Sequence, residues 1–324
     1  MEISKRLAAM DPKNADWQRD LSISHERIGD VFKAQGNLEG ALDAFRSGME
    51  IRKRLAAMDP KNADWQRDLS ISHNKIGDVF QAQGNLEGAL DAFRSGMEIR
   101  KRLAAMDPKN ADWQHGLWVS HNKIGEVFQS QGNLEGALDD FRSGMEIAKR
   151  LAAMDPKNAD WQRNLSISHE RIGDVFQAQG NLEGALDAFR SGMEITKRLA
   201  AMDPKNADWQ RNLSVSHYKI GDVFQAQGNL EGALDAFRSG MEIAKRLAAM
   251  DPNNADWQRD LAISNERMGT LLAEQGKKKE AVPYLRAAVA IVEAAFARFP
   301  NQKPFQYNLD VPRAILDAIE KPEK

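Results

Sequence analysis

Residues 11–18 read DPKNADWQ, and this segment or a near copy of it occurs six times in a chain of 324 residues. The copies begin 48 residues apart, at Asp11, Asp59, Asp107, Asp155, Asp203 and Asp251. A fixed period of this size is typical of solenoid proteins, in which each unit buries its apolar face against its neighbours. The first five units are nearly identical, so the pattern of one unit predicts the fold of most of the chain.

Each unit contains two segments with helical periodicity. In the first segment, Trp17, Leu21 and Ile28 recur at helical spacing. Asn14 before it is a candidate N-cap, and Gly36 after it is a candidate left-handed residue that ends a helix. A second apolar stripe follows at Leu38, Ala41, Leu42, Phe45, Met49 and Leu55. The pattern predicts a helical hairpin, whose two helices we name A and B.

This hairpin resembles the tetratricopeptide repeat, whose pattern reads W-x2-L-G-x2-Y, then A-x3-F, then P. The residues in register with that pattern are His25, Ile28, Gly29, Phe32, Ala41 and Phe45. His25 stands where the family favours Trp, and the segment DPKNA matches the usual turn between repeats. The resemblance covers nearly the whole chain. It implies an all-α fold, a right-handed α-solenoid of antiparallel helical hairpins that forms a superhelix.

The unit is about 14 residues longer than the family's repeat of about 34. Each helix has gained about seven residues, or about two turns, which keeps the two helices of the hairpin equal in length. Lengthened repeats of this kind are similar to those of kinesin light chain and of bacterial repeat arrays associated with signalling.

The repeat pattern also predicts the organisation of the chain. Residues 1–10 match the second half of a B helix from a preceding repeat, so we expect the chain to be a fragment of a longer polypeptide or a shortened array. The sixth unit diverges, and a last segment in register with helix A is expected to cap the array. The predicted parts are 1–10, the near-identical repeats 11–58, 59–106, 107–154, 155–202 and 203–250, the divergent repeat 251–298, and the capping helix and tail 299–324.

Composition narrows the classes of function. The 45 Lys and Arg residues nearly cancel the 47 Asp and Glu residues, so the net charge of -2 gives no overall attraction to nucleic acid or to an anionic membrane. The absence of cysteine excludes disulfides, thiolate zinc sites and a cysteine nucleophile. There is no signal-peptide core and no run of about 18 apolar residues, so we expect a cytoplasmic protein that contacts neither nucleic acid nor membrane.

Motifs for catalysis and for cofactors are also missing from the sequence. It contains no phosphate-binding loop, no H-E-x-x-H, no EF-hand loop and no Gly-rich dinucleotide turn, so we expect no enzymatic activity and no cofactor. The histidine at position 25 recurs in later units, but no second ligand lies four residues away on the same helix. We therefore expect these histidines to pack in the core and to hold no metal.

Differences among the first five units fall mainly on helix A, where nine positions vary against two on helix B. In the family that the chain resembles, helix A lines the concave surface that receives the ligand. Three changes cluster in WQHGLWVSHN at 113–122, to His115, Gly116 and Trp118. We interpret this variation as the mark of a groove that binds a peptide or helix of a partner protein.

Positions 19, 22, 26, 30 and 33 lie three or four residues apart and form one stripe along helix A. We expect Trp118 and Tyr218 to be exposed aromatic anchors on it, since such residues are favoured at interfaces. The candidate contact residues are a basic rail (Arg19, Arg67, His115, Arg163 and Arg211), an acidic rail (Asp30, Asp78, Glu126, Asp174 and Asp222), a middle row (Glu26, Asn74, Asn122, Glu170 and Tyr218), and Lys33 and Trp118.

Other interpretations stay open. Trp118 could pack on a neighbouring helix, and the basic rail could be ordinary solvated surface. The chain could also be a structural spacer, or self-associate through an uncapped end at residues 1–10, as the sensor or scaffold part of a larger signalling protein. RNA recognition is disfavoured by the acidic rail. That rail also stands where a carboxylate clamp of the family needs Asn, so we expect no such clamp.

Overall fold

The computed structural model of the protein describes residues 1–298 and 310–320. Within these ranges the regular elements are all α-helices, so the predicted all-α class is confirmed. The helices are α1 (Glu2–Met10), α2 (Ala15–Ala34), α3 (Leu38–Met58), α4 (Ala63–Ala82), α5 (Leu86–Met106), α6 (Ala111–Ser130), α7 (Leu134–Met154), α8 (Ala159–Ala178), α9 (Leu182–Met202), α10 (Ala207–Ala226), α11 (Leu230–Met250), α12 (Ala255–Glu274), α13 (Lys278–Arg298) and α14 (Asp310–Glu320).

The ends of these helices are set by the residues that the sequence singled out. Asn14 caps α2 by accepting a hydrogen bond from the backbone N–H of Trp17 at 3.1 Å, and Asn37 caps α3 through the N–H of Gly40 at 2.9 Å. Between the two helices Gly36 has φ 77°, a left-handed conformation that is costly for other residues. The even-numbered helices α2 to α12 are thus the predicted A helices, and α3 to α13 are the B helices.

Each of the first five hairpins is closed by a glycine on helix A and a phenylalanine on helix B, and Leu285 takes the place of the phenylalanine in the sixth. A Cβ atom built on Gly29 would lie 2.5 Å from the ring of Phe45, so only glycine allows this approach of α2 to α3. Ile76 and Val79 of the next A helix join Phe45 in one buried apolar cluster. The B helix α3 therefore buries its apolar stripe against two A helices, α2 and α4, as a repeat array requires.

The chain divides into two compact units, Met1–Trp161 and Gln162–Lys324. In the first unit α1 packs on α2, the B helix α3 packs on the next A helix α4, and α5 packs on α6. The second unit repeats this order with α9 on α10 and α11 on α12.

The sequence predicts half of a B helix at residues 1–10 and a capping helix at the other end of the chain. Within residues 1–10, Glu2–Met10 form α1, in which Ala8 is buried and its carbonyl accepts a hydrogen bond from the side-chain amide of Gln18. The predicted capping segment 299–324 is described only over residues 310–320, where α14 packs Ile315, Leu316 and Ile319 against the last hairpin. The rest of that prediction lies outside the described residues. No helix in the described part of the chain combines the length and the apolar character needed to span a bilayer.

Candidate protein-binding surface on the A helices

The acidic rail is built into ion pairs. Four of its carboxylates each accept from a Lys or Arg that lies 45 residues later, on the next A helix. These pairs are Asp30–Lys75 at 2.7 Å and Asp78–Lys123 at 2.9 Å in the first unit, and Asp174–Lys219 at 2.6 Å and Asp222–Arg267 at 2.8 Å in the second unit. The expected row of negative charge is therefore largely neutralised by the chain itself, and the pairs tie neighbouring A helices together.

Other charged residues on and beside the acidic rail are also paired or partly buried. Lys33 also reaches Asp78, at 3.6 Å. Glu126 is half-buried on α6. Burial raises the pKa of Asp222, against the opposing effect of Arg267, and burial likewise raises the pKa of Glu170. The rail is thus a partly desolvated polar surface.

The basic rail is paired at some repeats and unpaired at others. Arg19 donates through Nε to the carboxylate of Asp68 at 2.7 Å, and this hydrogen bond and the charge of Asp68 raise the pKa of Arg19. Arg211 makes the equivalent pair with Asp260. Arg67 has no ion pair among the described residues, because Gly116 stands where its carboxylate partner would be. Arg163 is exposed, and the position equivalent to Asp68 one repeat after it holds an amide, Asn212, in place of a carboxylate.

The middle row turns toward helix B. Glu26 accepts from Nη2 of Arg52 at 2.7 Å, and Arg52, on α3, is only 5% exposed. Arg52 also donates to the hydroxyls of Ser22 and Ser72 at 3.2 and 3.0 Å and to the carbonyl of Asp68 at 3.2 Å. This buried network joins α2, α3 and α4, which we call the first junction. Its arginine was not among the predicted site residues.

The second junction, of α4, α5 and α6, has the same architecture with fewer charges. Arg100 replaces Arg52 and is 9% exposed. It donates to the hydroxyls of Ser70 and Ser120 and to the carbonyl of Gly116. Asn74 replaces Glu26, and when its amide oxygen is turned toward Arg100 it accepts from both terminal nitrogens at 2.9 and 3.1 Å. Asn74 is therefore a buried structural residue of this junction.

The expected exposure of Trp118 and Tyr218 is wrong, since each of these side chains is only 8% exposed. Trp118 packs over Gly144 of α7, where a Cβ would lie 3.6 Å from the indole, and the backbone carbonyl of Trp118 accepts from the buried Asn122 at 2.8 Å. The ring of Tyr218 lies over Gly240 of α11 and its hydroxyl hydrogen-bonds to Ser264. Both aromatic residues contact the chain itself.

The physical reason is a change on helix B. The position of Arg52 and Arg100 is occupied by Ala148 on α7 and by Ala244 on α11. Without the long arginine side chain, space beside the A helix must be filled, because protein interiors are close-packed. Trp118 fills it in one repeat and Tyr218 in the other. The aromatic changes are thus complementary to helix B, and a signal for this was present in the sequence, since position 52 is one of the two B positions that vary.

His115 lies at the edge of this packed layer. Its ring stacks on Trp118 with centroids 5.5 Å apart and contacts Trp161 at 5.4 Å. Burial, followed by the charge of Arg100, lowers the pKa of His115. The imidazole is therefore mainly neutral near pH 7, and the basic rail is weaker at this repeat than its sequence suggested.

Comparisons with known proteins agree with this architecture. The tetratricopeptide repeat family model matches residues 266–300. No curated protein matches the sequence. Among solved structures, BtubC (BKLC) from P. vanneervenii is similar with a TM-score of 0.63 and 16% identity, over 82% of this chain and 95% of that one.

Two further structures are similar at the level of the fold. The apo form of RapI has a TM-score of 0.54 and 13% identity, over 86% of this chain and 99% of that one. A putative kinesin light chain from Podosopora anserina, with nearly identical TPR-like repeats, has a TM-score of 0.50 and 16% identity, over 72% of this chain and 96% of that one.

Fold and surface together define a helical repeat protein with a polar, internally paired A-helix face. More specifically, residues 266–300 match the tetratricopeptide repeat family model, and the helical array has the fold of solved tetratricopeptide-type arrays, as the resemblance in the sequence implied. Arrays of this fold serve in general as scaffolds for protein interaction.

Proposed function

We propose that the protein is a non-enzymatic scaffold that binds a peptide or helix of another protein along its A-helix face. The observation that carries this proposal is the regular row of ion pairs between successive A helices. Each pair holds its charged groups in a fixed place, and the paired groups Lys75 and Asp30 remain 29% and 45% exposed. A preorganised polar surface loses little side-chain entropy on binding, which favours a ligand that crosses several repeats.

A charge swap tests this proposal without removing an ion pair. Asp30→Lys combined with Lys75→Asp keeps the pair between α2 and α4 and reverses its polarity. The matched control is Glu50→Lys with Lys53→Glu, which reverses an exposed pair on helix B that is 2.9 Å long in the native protein. Peptides selected from a random library on the native protein should bind the A-face swap more weakly and the B-helix control unchanged. Equal binding to all three proteins would exclude the A-helix face.

Self-association is a second candidate function, favoured by the apolar surface of α1. Ile3 is 75% exposed and Met10 is 76% exposed. Exposed apolar groups of this kind favour contact between molecules. We expect the mass measured by light scattering to rise with concentration in the native protein and less so in Ile3→Lys. A monomer of constant mass over the same range would exclude this function.

A further inference from the structure

The second junction contains a buried arginine that has lost its carboxylate. In the first junction Glu26 pairs with Arg52 at 2.7 Å. In the second junction the equivalent residue is Asn74, so the partners of Arg100 are all neutral. A buried charge without an opposite charge is unfavourable, and hydrogen bonds to neutral groups offset only part of that effect.

The same junction has lost a second carboxylate. Asp68 pairs with Arg19 in the first junction, and Gly116 takes the place of Asp68 one repeat later. Arg67, the equivalent of Arg19, is exposed and makes no ion pair among the described residues. The first junction therefore holds two arginines and two carboxylates at these four positions, whereas the second holds two arginines and no carboxylate.

A cavity of about 170 Å³ lies beside Gly116, where the equivalent of Asp68 is missing. It is lined by Arg67, Arg100, His115 and Gly116, among others. Asp112 also lines it. The first junction has an aspartate, Asp64, at the equivalent position in addition to its two other carboxylates, so Asp112 does not replace either lost group. Burial and then the charge of Arg67 lower the pKa of Arg100 to about 10, which leaves it protonated at neutral pH. Two arginines and one aspartate line the cavity, which therefore has an excess of positive charge and room for a small group.

We propose that this cavity, formed by Arg67, Arg100 and His115, binds the carboxylate of an Asp or Glu side chain of a protein ligand. The chemistry follows from the first junction, where the carboxylate of Asp68 fills the corresponding place and pairs with Arg19. Arg67 supplies free N–H donors at the mouth, and Arg100 supplies a buried positive charge behind them. This assignment rests on the proposed peptide-binding function and adds the class of residue that the ligand presents.

The chain offers its own variants for a test. Gly116→Asp restores the residue found at this position in the first, second and sixth units. The substitution fits sterically, because a Cβ on Gly116 would lie no closer than 3.5 Å to the nearest atom of Arg100. It should also raise the midpoint of thermal unfolding, since it pairs Arg67 and removes a glycine from a helix. A loss of binding in this variant therefore cannot be attributed to unfolding.

The probe is a fluorescein-labelled hexaglutamate peptide, measured by fluorescence anisotropy at constant ionic strength, with hexaglutamine as the neutral control. We expect hexaglutamate to bind the native protein and to bind Gly116→Asp at least about tenfold more weakly. The double variant Asp68→Gly with Glu26→Asn reproduces the second junction within the first, and it should add a second binding site. Equal affinity of the native protein and Gly116→Asp would overturn the proposal.

Competition with inorganic phosphate tests whether the cavity selects a carboxylate over another anion. Phosphate should compete with hexaglutamate only weakly if the cavity selects carboxylates. Tight binding of phosphate without binding of hexaglutamate would overturn the assignment. Because the probe is synthetic and reports on this cavity, its result does not depend on the charge swap between α2 and α4. Failure of the cavity and failure of the wider A-face function can therefore be told apart.

Discussion

The first junction and the fifth junction, formed by α10, α11 and α12, fill the same place between repeats with opposite chemistry. In the first, Arg52 crosses from helix B and is surrounded by hydroxyls and Glu26. In the fifth, the helix B residue is Ala244, and Tyr218 of helix A joins Phe237 in an apolar cluster. Substitutions on helix A are thus accompanied by complementary substitutions on helix B that fill the same space, so differences between repeats need not indicate a ligand-binding site.

The largest change in the free energy of unfolding should come from removing a buried aromatic side chain. Trp118→Ser leaves a cavity beside Gly144, and loss of a buried Trp costs about 4 kcal/mol of unfolding free energy. Adding Ala148→Arg to this variant recreates the Arg and Ser pair of the first junction and should recover part of the loss. Urea unfolding followed by circular dichroism measures both values. A double variant no more stable than Trp118→Ser would break the comparison between junctions.

Removing the buried arginine of the first junction should lower the free energy of unfolding by nearly as much. Arg52→Ala removes the partner of Glu26, which is 25% exposed, and opens the network that joins three helices. Loss of one member of a buried ion pair costs about 3 kcal/mol. Combining it with Glu26→Tyr introduces the Ala and Tyr pair of the fifth junction, and we expect this variant to unfold at a urea concentration closer to that of the native protein. If Glu26→Tyr lowers stability further, the two solutions are not interchangeable.

A substitution with a smaller effect on the free energy of unfolding distinguishes packing from hydrogen bonding at the fifth junction. Tyr218→Phe keeps the ring over Gly240 and removes the hydrogen bond to Ser264. The expected loss is about 1 kcal/mol, which is typical of a single buried hydrogen bond. Ser264→Ala should give a similar loss, and the two changes together should cost little more than either alone. Additive losses in the double variant would show that the two hydroxyls act independently.

These comparisons also explain how far the sequence could be interpreted. Helix ends at Asn14 and Gly36 depend on local chemistry, and both predictions are confirmed. The exposure of Trp118 depends on a residue of another helix, Ala148, and the family pattern gave no template for the added turns of helix A. The stripe predicted from three- and four-residue spacing therefore combined two kinds of position. Some, such as Asp30, lie at the surface, and others, such as Ser22, are buried under helix B.

The histidines of the A helices should produce the smallest effect. Burial lowers the pKa of His25, His73 and His217, and a nearby lysine adds to the lowering in each case. The folded protein thus binds fewer protons than the unfolded chain as the pH falls through the unfolded value of about 6.5. These histidines should lower the midpoint of thermal unfolding on acidification from about pH 7.5 to about pH 5.5. Glu170, Asp222 and Glu266 act in the opposite direction, because their pKa values are raised.

His73→Asn isolates the histidine contribution, because Asn265 occupies the same position in the sixth unit and donates a hydrogen bond to the carbonyl of Leu261 at 2.8 Å. The carboxylates are identical in the native protein and the variant, so the difference between their two pH profiles belongs to His73. We expect the midpoint of the variant to fall less on acidification. A steeper fall in the variant would mean that the charged imidazole is better accommodated in the folded array than in the unfolded chain.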